Sequence, residues 1–317
     1  MDSLGENNPL IKRIRRAIAH GTLTDDGYAV AEGPHLLAEA VKAGCEIRAV
    51  IVSESARLAT AKPGMIDDLS RLPEPRTVSD KIFRTLSSTE TPQGVLALVK
   101  PPVADLASML AGGNAPIADT LPVGTLIADT LIAILDGVQD PGNAGAIVRV
   151  AEAFGATGAI FLKGSVDPFH PRTLRGSAGS LFRLPVVARL DVAHLDMAHR
   201  IDADADFDSL NTLLGGLRIY AAMPRATSSI ATSSIEVRDA DFTVPCAIAI
   251  GGEGRGISER LAARAIPVHI PTRNVESLNA AVAAGILFYE ARRQRDSAQV
   301  PREQSGRSEG KAGPFTR

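Results

Sequence analysis

At 317 residues, with hydrophobic side chains making up 45%, the chain is long enough for one large or two medium domains with an ample core. Aromatics are scarce, tryptophan is absent and the formal charge is −2, which excludes a protein that coats nucleic acid by bulk charge. Any RNA contact must gather its positive charge locally.

The first segment opens with Asn8-Pro9, a helix cap followed by proline at the first helical position. Leu10, Ile11, Ile14 and Ile18 then recur at helical spacing, with Lys12, Arg13, Arg15 and Arg16 between them. "YAVAEG" reads as a strand, "PHLLAEAVKAG" as a helix, "IRAVIVSES" as a strand, "VSDKIFRTLSS" as a helix and "GVLALVK" as a strand. This alternation predicts a small α/β domain over residues 1–107. Residues 108–128, with Gly-Gly, several prolines and no sustained period, read as a linker. Beyond it, "LIAILDG", "GAIFLKG", "LPVVARL", "LRIYAAM", "PCAIAIGG" and "IPVHIP" are apolar runs that predict parallel strands buried on both faces, in a domain spanning residues 129–296. The last helix, "LNAAVAAGILFYEARRQ", is apolar nearly all round and is expected to be buried, starting near Ser277. The polar residues 297–317 read as a disordered tail.

The two cysteines, Cys45 and Cys246, are far apart, and the opening "MDSLGENNPLIKRIRRAI" lacks the apolar core of a secretory leader. Reduced thiols in a cytoplasmic protein are expected. No apolar run approaches membrane-spanning length. His194 and His199 are five apart rather than four, so no metal site is expected.

Three stretches can carry chemistry. In "AIAIGGEGRGIS" a strand runs into a loop with Gly251, Gly252, Gly254 and Gly256, which lets backbone approach a ligand or simply turn. A dinucleotide loop would follow the first strand of its sheet, and only about sixty residues remain after Gly256, too few for a complete nicotinamide fold. In "IPVHIPTRNVESLNAAVAAGILFYE", Ser277 is a natural helix cap, and Asn279 in the first turn of an apolar helix needs a partner. In "LDGVQDPGNAGAIVRVAEAFGA", Asp140 to Asn143 fix a turn, and Arg149 falls away from the Ile147 and Ala151 stripe, so it is either solvated or kept for a partner. None of the three decides the function alone.

Taken together, they resemble the SpoU/TrmH branch of the SPOUT superfamily, RNA ribose 2′-O-methyltransferases that use S-adenosylmethionine. The family's Asn-x5-Arg motif is met by Asn143 and Arg149, its "GxEGxGIS" by Gly251 to Ser258 with Glu253, and its "IPx…SLN" by Ile270, Pro271, Ser277, Leu278 and Asn279. The likeness covers about residues 129–293, and residues 175–186 also resemble the family's usual link between motifs. It implies a mainly parallel α/β sheet, flanked by helices and threaded into a trefoil knot, behind a small α/β RNA-binding domain.

Catalytic roles would fall to Arg149, Asn143, Glu253, Ser277 and Asn279. Gly251, Gly252, Gly256, Ile270, Pro271 and Leu278 would hold S-adenosylmethionine, and no metal is needed because the electrophile is already charged. RNA contacts are expected at Lys12, Arg13 and Arg16, and at Arg172, Arg175 and Arg183. A homodimer through the knotted domain and ribosomal RNA as substrate are the expected partners. The alternatives are transfer RNA as substrate, or an RNA-binding protein of this fold without catalysis.

Overall fold

The computed structural model describes residues 3–59, 72–102, 104, 109–110, 129–190, 217–224 and 234–299. The His194/His199 pair, most of the predicted linker and residues 300–317 lie outside them.

The N-terminal unit begins with α1 (Pro9–His20). The Asn8 side chain accepts the Leu10 amide, Pro9 occupies the first turn, and Gly21 ends the helix in the left-handed conformation (φ 62°). Of the residues at helical spacing, Ile11 and Ile14 are buried and Leu10 and Ile18 half-buried, while Ala17 joins the inward face. Strands β1 (Ala29–Glu32), β2 (Ile47–Ser53), β3 (Arg76–Val78) and β4 (Val95–Val99) form a sheet in the order β1-β4-β2-β3. Both neighbours of β4 run antiparallel to it, and β3 is parallel to β2. Helices α2 (Pro34–Lys42), α3 (Glu54–Ala59) and α4 (Asp80–Leu86) complete the unit. Sequence patterning does not reveal β3 or α3, which are too short to show a period.

Among the described residues the second unit holds seven strands: β5 (Leu131–Asp136), β6 (Gly158–Leu162), β7 (Val186–Leu190), β8 (Arg218–Ala222), β9 (Ile235–Glu236), β10 (Cys246–Gly251) and β11 (Ile266–His269). Their order is β7-β6-β5-β10-β8-β11-β9, and every pairing is parallel. Alternate residues of each strand point to opposite faces. Leu131, Ala133 and Leu135 join one core with α5 (Pro141–Ala153) and α8 (Ala280–Gln299); Ile132 and Ile134 join another with Met109, Leu110 and Leu261. Met109, inside the predicted linker, is fully buried, and a Cβ on Gly158 would lie 2.5 Å from its Cγ.

The two units share a core. The face of the first sheet bearing Ala29, Ala31 and Val50 packs with α2, and the same apolar cluster continues into Leu174 of α6 (Pro171–Ser177) and into Leu181 and Phe182. α6 in turn lies flush on α5, where a Cβ on Gly145 would come 2.4 Å from the Thr173 carbonyl oxygen.

Three expectations about α8 are corrected. It begins at Ala280 rather than near Ser277, and it runs to Gln299, into the expected tail. It is also not buried all round. Ala284, Leu287, Phe288 and Ala291 are buried, whereas Val282 (51% exposed), Ile286 and Tyr289 (56%) form a stripe open to solvent.

Candidate active site

Chain direction locates the site. β5 leads through α5 leftward to β6, whereas β10 leads rightward to β11 beyond β8, so the loops leaving β5 and β10 diverge at their shared edge. Ligands in open parallel sheets bind at such switch points, beyond the carboxyl ends of the strands.

The first loop is fixed by Asp140, whose side chain caps α5 by accepting the Asn143 amide at 2.7 Å. Proline at the first helical position and this cap orient Asn143 toward the β10 loop. There its Nδ2 donates to Oε1 of Glu253. Asn279 completes the group: its Nδ2 donates to Asn143 Oδ1 at 3.1 Å and to Glu253 Oε1 at 3.3 Å. Three side chains from three separate segments, one of them more than a hundred residues from the other two, thus meet in one hydrogen-bonded cluster. Asn279 is exposed rather than buried, and it finds the partners its chemistry requires.

The cap expected of Ser277 belongs instead to Asn279. Its Oδ1 accepts the Ala281 and Val282 amides at 3.0 and 3.3 Å, which anchors the start of α8. Ser277 is exposed and lines the neighbouring cleft.

That cleft, about 450 Å³, runs along backbone from Gly251 to Gly256 and is closed by Ile270, Leu278 and Met223. The glycines are required by packing. A Cβ on Gly251 would sit 2.3 Å from the Gly256 carbonyl carbon, and one on Gly252 would sit 2.2 Å from the Gly137 oxygen; Gly256 holds φ at 65°. Pro271 is exposed and is not among the lining residues; it follows Ile270, which is. A second cavity of about 270 Å³, lined by Gln139, Asp140 and Asn143, shares Gly252 to Arg255 with the first. The Glu253 loop is therefore the partition between two adjoining spaces.

Arg149 is exposed on α5, forms no hydrogen bond or ion pair among the described residues, and lines neither space. Six residues separate it from Asn143, about 9 Å along the helix axis.

The predicted RNA cations divide. Arg172 and Arg175 are exposed on α6, where Arg175 Nη1 donates to Ser88 Oγ at 3.3 Å. Lys12 is exposed on α1, but Arg13 pairs with Asp26 at 2.7 Å and Arg16 with Asp25 at 2.8 Å. The Arg16 pair is open to solvent on both sides and is cheaply exchanged for a phosphate. Arg183 is exposed but already partnered. Its fork is engaged by Glu152 of α5 at 2.7 and 3.0 Å, and by Glu39 of α2 at 2.7 Å, so it ties the two units together.

Among the described residues there is no group of three or more His, Cys, Asp or Glu suited to a metal, and no helix long and apolar enough to cross a membrane. Cys45 and Cys246 are both free, and burial pushes the Cys246 thiol up to about 11.

Comparison with known proteins follows the same division of the chain. Residues 130–289 match the model of the SpoU rRNA Methylase family, and residues 8–97 match an MRM3-like substrate binding domain. A protein of Synechocystis named an uncharacterised tRNA/rRNA methyltransferase is 30% identical, over 93% of this chain and 94% of its own. The 23S rRNA (guanosine(2553)-2′-O)-methyltransferase RlmP of Bacillus subtilis is 28% identical, over 82% and 87%. Among solved structures, an AdoMet-bound rRNA methyltransferase from Sinorhizobium meliloti superposes with a TM-score of 0.67 at 26% identity, covering 92% of this chain and 97% of that one.

Proposed function

Because the chain belongs to the SpoU rRNA methylase family and is an S-adenosylmethionine-dependent RNA ribose 2′-O-methyltransferase, we propose that it methylates ribosomal RNA of the large subunit through the Asn143–Glu253–Asn279 cluster. The observation that carries this reading is the meeting of those three side chains at the partition between two cavities. Ribosomal rather than transfer RNA is favoured by the substrate-binding unit over residues 8–97 and by the ribosomal target in the name of the Bacillus relative.

The larger cleft suits the donor, because its wall is main chain, packed so closely that a side chain at Gly251 or Gly252 would collide with backbone. Gly251, Gly252, Gly256, Ile270 and Leu278 would hold it, with Pro271 setting the turn after Ile270. When bound, S-adenosylmethionine supplies a methyl group already activated on a cationic sulfur. The protein's task is then alignment of the ribose oxygen and disposal of its proton. Asn143 and Asn279 lock Glu253 in one orientation at the partition, where its carboxylate and the amides can hold a sugar hydroxyl in line. A guanidinium is a poor base, so the part of Arg149 is electrostatic: it holds a phosphate and lowers the cost of charge developing on the oxygen.

The apolar stripe of α8 supports a homodimer. Val282, Ile286 and Tyr289 recur at helical spacing on the exposed face, and Tyr289 meets Phe154 of the α5 end edge-on at 5.7 Å. A second copy covering this stripe would also meet the end of α5 at Phe154. Sedimentation equilibrium tests this, and a monomer at micromolar concentration would refute it. Lys12, Arg16, Arg172 and Arg175 are the phosphate contacts of this reading, and the compartment of ribosome assembly, the cytoplasm in a bacterium, is its location.

The deciding experiment incubates purified protein and methyl-labelled S-adenosylmethionine with total RNA from cells lacking the gene, then maps the label. One labelled ribose in large-subunit RNA is expected. Label confined to transfer RNA, or to a base, would overturn the proposal.

A further inference from the structure

Asp136 ends β5 and is only 6% exposed, so its carboxylate lies away from water and needs compensation. Parallel register sets it beside Gly251, the last residue of β10. From there it binds both ends of the following loop. Its carbonyl oxygen accepts the Gly252 amide at 3.0 Å, and its Oδ2 accepts the Ser258 amide at 2.7 Å. Within the loop, the Gly256 amide donates to the Gly252 oxygen at 2.8 Å. Residues 252–258 thus form a ring closed on one residue of the neighbouring strand, with Glu253 next to its Gly252 end.

We infer that Asp136 is a positioning residue for methyl transfer: by closing this ring it presets both the backbone wall of the larger cleft and the place of Glu253 opposite Asn143 and Asn279. The inference rests on the reading of the cluster as the methyl-transfer site. The Ser258 hydroxyl makes no cap for α7 (Glu259–Ala262), so what residue 258 supplies to the loop is its N–H. A ring held only by its own bond between Gly256 and Gly252 would be free to swing, because glycines resist little. The buried carboxylate removes that freedom before the donor arrives, so the ordering cost is not charged to binding.

The test removes one hydrogen bond without touching the core. Ser258 is exposed with φ −61°, an angle proline adopts, so Ser258→Pro removes the N–H and Ser258→Ala keeps it. Calorimetric titration with S-adenosylmethionine should show at least tenfold weaker binding for Ser258→Pro and unchanged binding for Ser258→Ala. The single-turnover rate on ribosomal RNA should fall at saturating donor, while RNA affinity holds. Asp136→Asn, whose amide oxygen can still accept the bond, should keep most of the affinity that Asp136→Ala loses. Should Asp136→Ala not fold, Ser258→Pro decides alone. A folded Ser258→Pro with wild-type affinity and rate would overturn the inference, as would an equal loss in Ser258→Ala. Failure of the wild-type protein to bind the donor would instead strike the functional reading itself.

Discussion

Asn279 performs two tasks that substitution can separate. Its Oδ1 caps α8 through two amides, and its Nδ2 reaches Asn143 and Glu253. Replacing a good capping side chain with alanine costs about 1 kcal/mol. Two solvent-facing hydrogen bonds of ordinary length add about 0.5 kcal/mol each, at the low end for such bonds. Asn279→Ala should therefore lose about 2 kcal/mol, which for a domain of this size lowers the melting temperature by about 4–8 °C. Asn279→Ser keeps a capping oxygen but is too short to bridge to Asn143 and Glu253, so it should regain about half of that loss. Turnover should not follow stability: both variants should fall at least tenfold in kcat, since Glu253 loses the same restraint in each. Calorimetric melts and single-turnover methylation of ribosomal RNA read the two effects. If Asn279→Ser recovers turnover together with stability, the residue is a helix cap and nothing more, and the cluster loses its catalytic standing.

Arg149→Ala should reduce methyl transfer by about two to three orders of magnitude, the usual loss when one charge-stabilising group is removed, with S-adenosylmethionine affinity unchanged in calorimetry. Arg175→Ala should lower the slope of log RNA affinity against log salt by about one, whereas Arg183→Ala should weaken binding with the slope unchanged, because its partners are Glu152 and Glu39. Filter binding across a salt series separates the two, and a reduced slope for Arg183→Ala would return it to the RNA face. Cys246 ties stability to alkaline pH. Burial raises its folded pKa to about 11, against about 8.5 for an unfolded thiol, so the neutral form is the one folding favours. The associated stability is complete below about pH 8.5 and declines by about 1.4 kcal/mol per unit as pH rises to about 11. Urea denaturation between pH 8 and 11 should show that slope reduced in Cys246→Ala, and an equal slope in both proteins would refute the assignment.

Much of this site is legible in one dimension because its chemistry is written in short, ordered strings. Asn143, Glu253 and Asn279 each stand beside glycine, proline or a helix start, where residue type already restricts backbone shape. The six long strands are legible for a different reason: burial on both faces demands uninterrupted apolar runs. Asp136 is not legible, since one acidic residue after a strand looks like a strand end; its role appears only when register sets β5 beside β10. The ion pairs of Arg183 are hidden similarly. Composition displays its charge but not Glu39, 144 positions away. The α8 stripe misleads instead, because an apolar helix reads the same whether its neighbour is its own core or another molecule. Helix α8 also starts three residues late, because Asn279 outcompetes Ser277 as the cap by reaching partners that lie far off in the chain.

The place of β10 governs how this protein can be made. It follows β8 and β9 in sequence yet lies between β5 and β8, so two strands synthesised earlier wait with open edges for a late arrival. Non-local pairing of this kind slows folding, and unsatisfied parallel edges invite pairing between chains. Yield in a heterologous host should thus be limited by aggregation of a nearly complete intermediate rather than by native stability. Lower growth temperature or added chaperone would be the remedy, and stabilising substitutions in the finished core would help little.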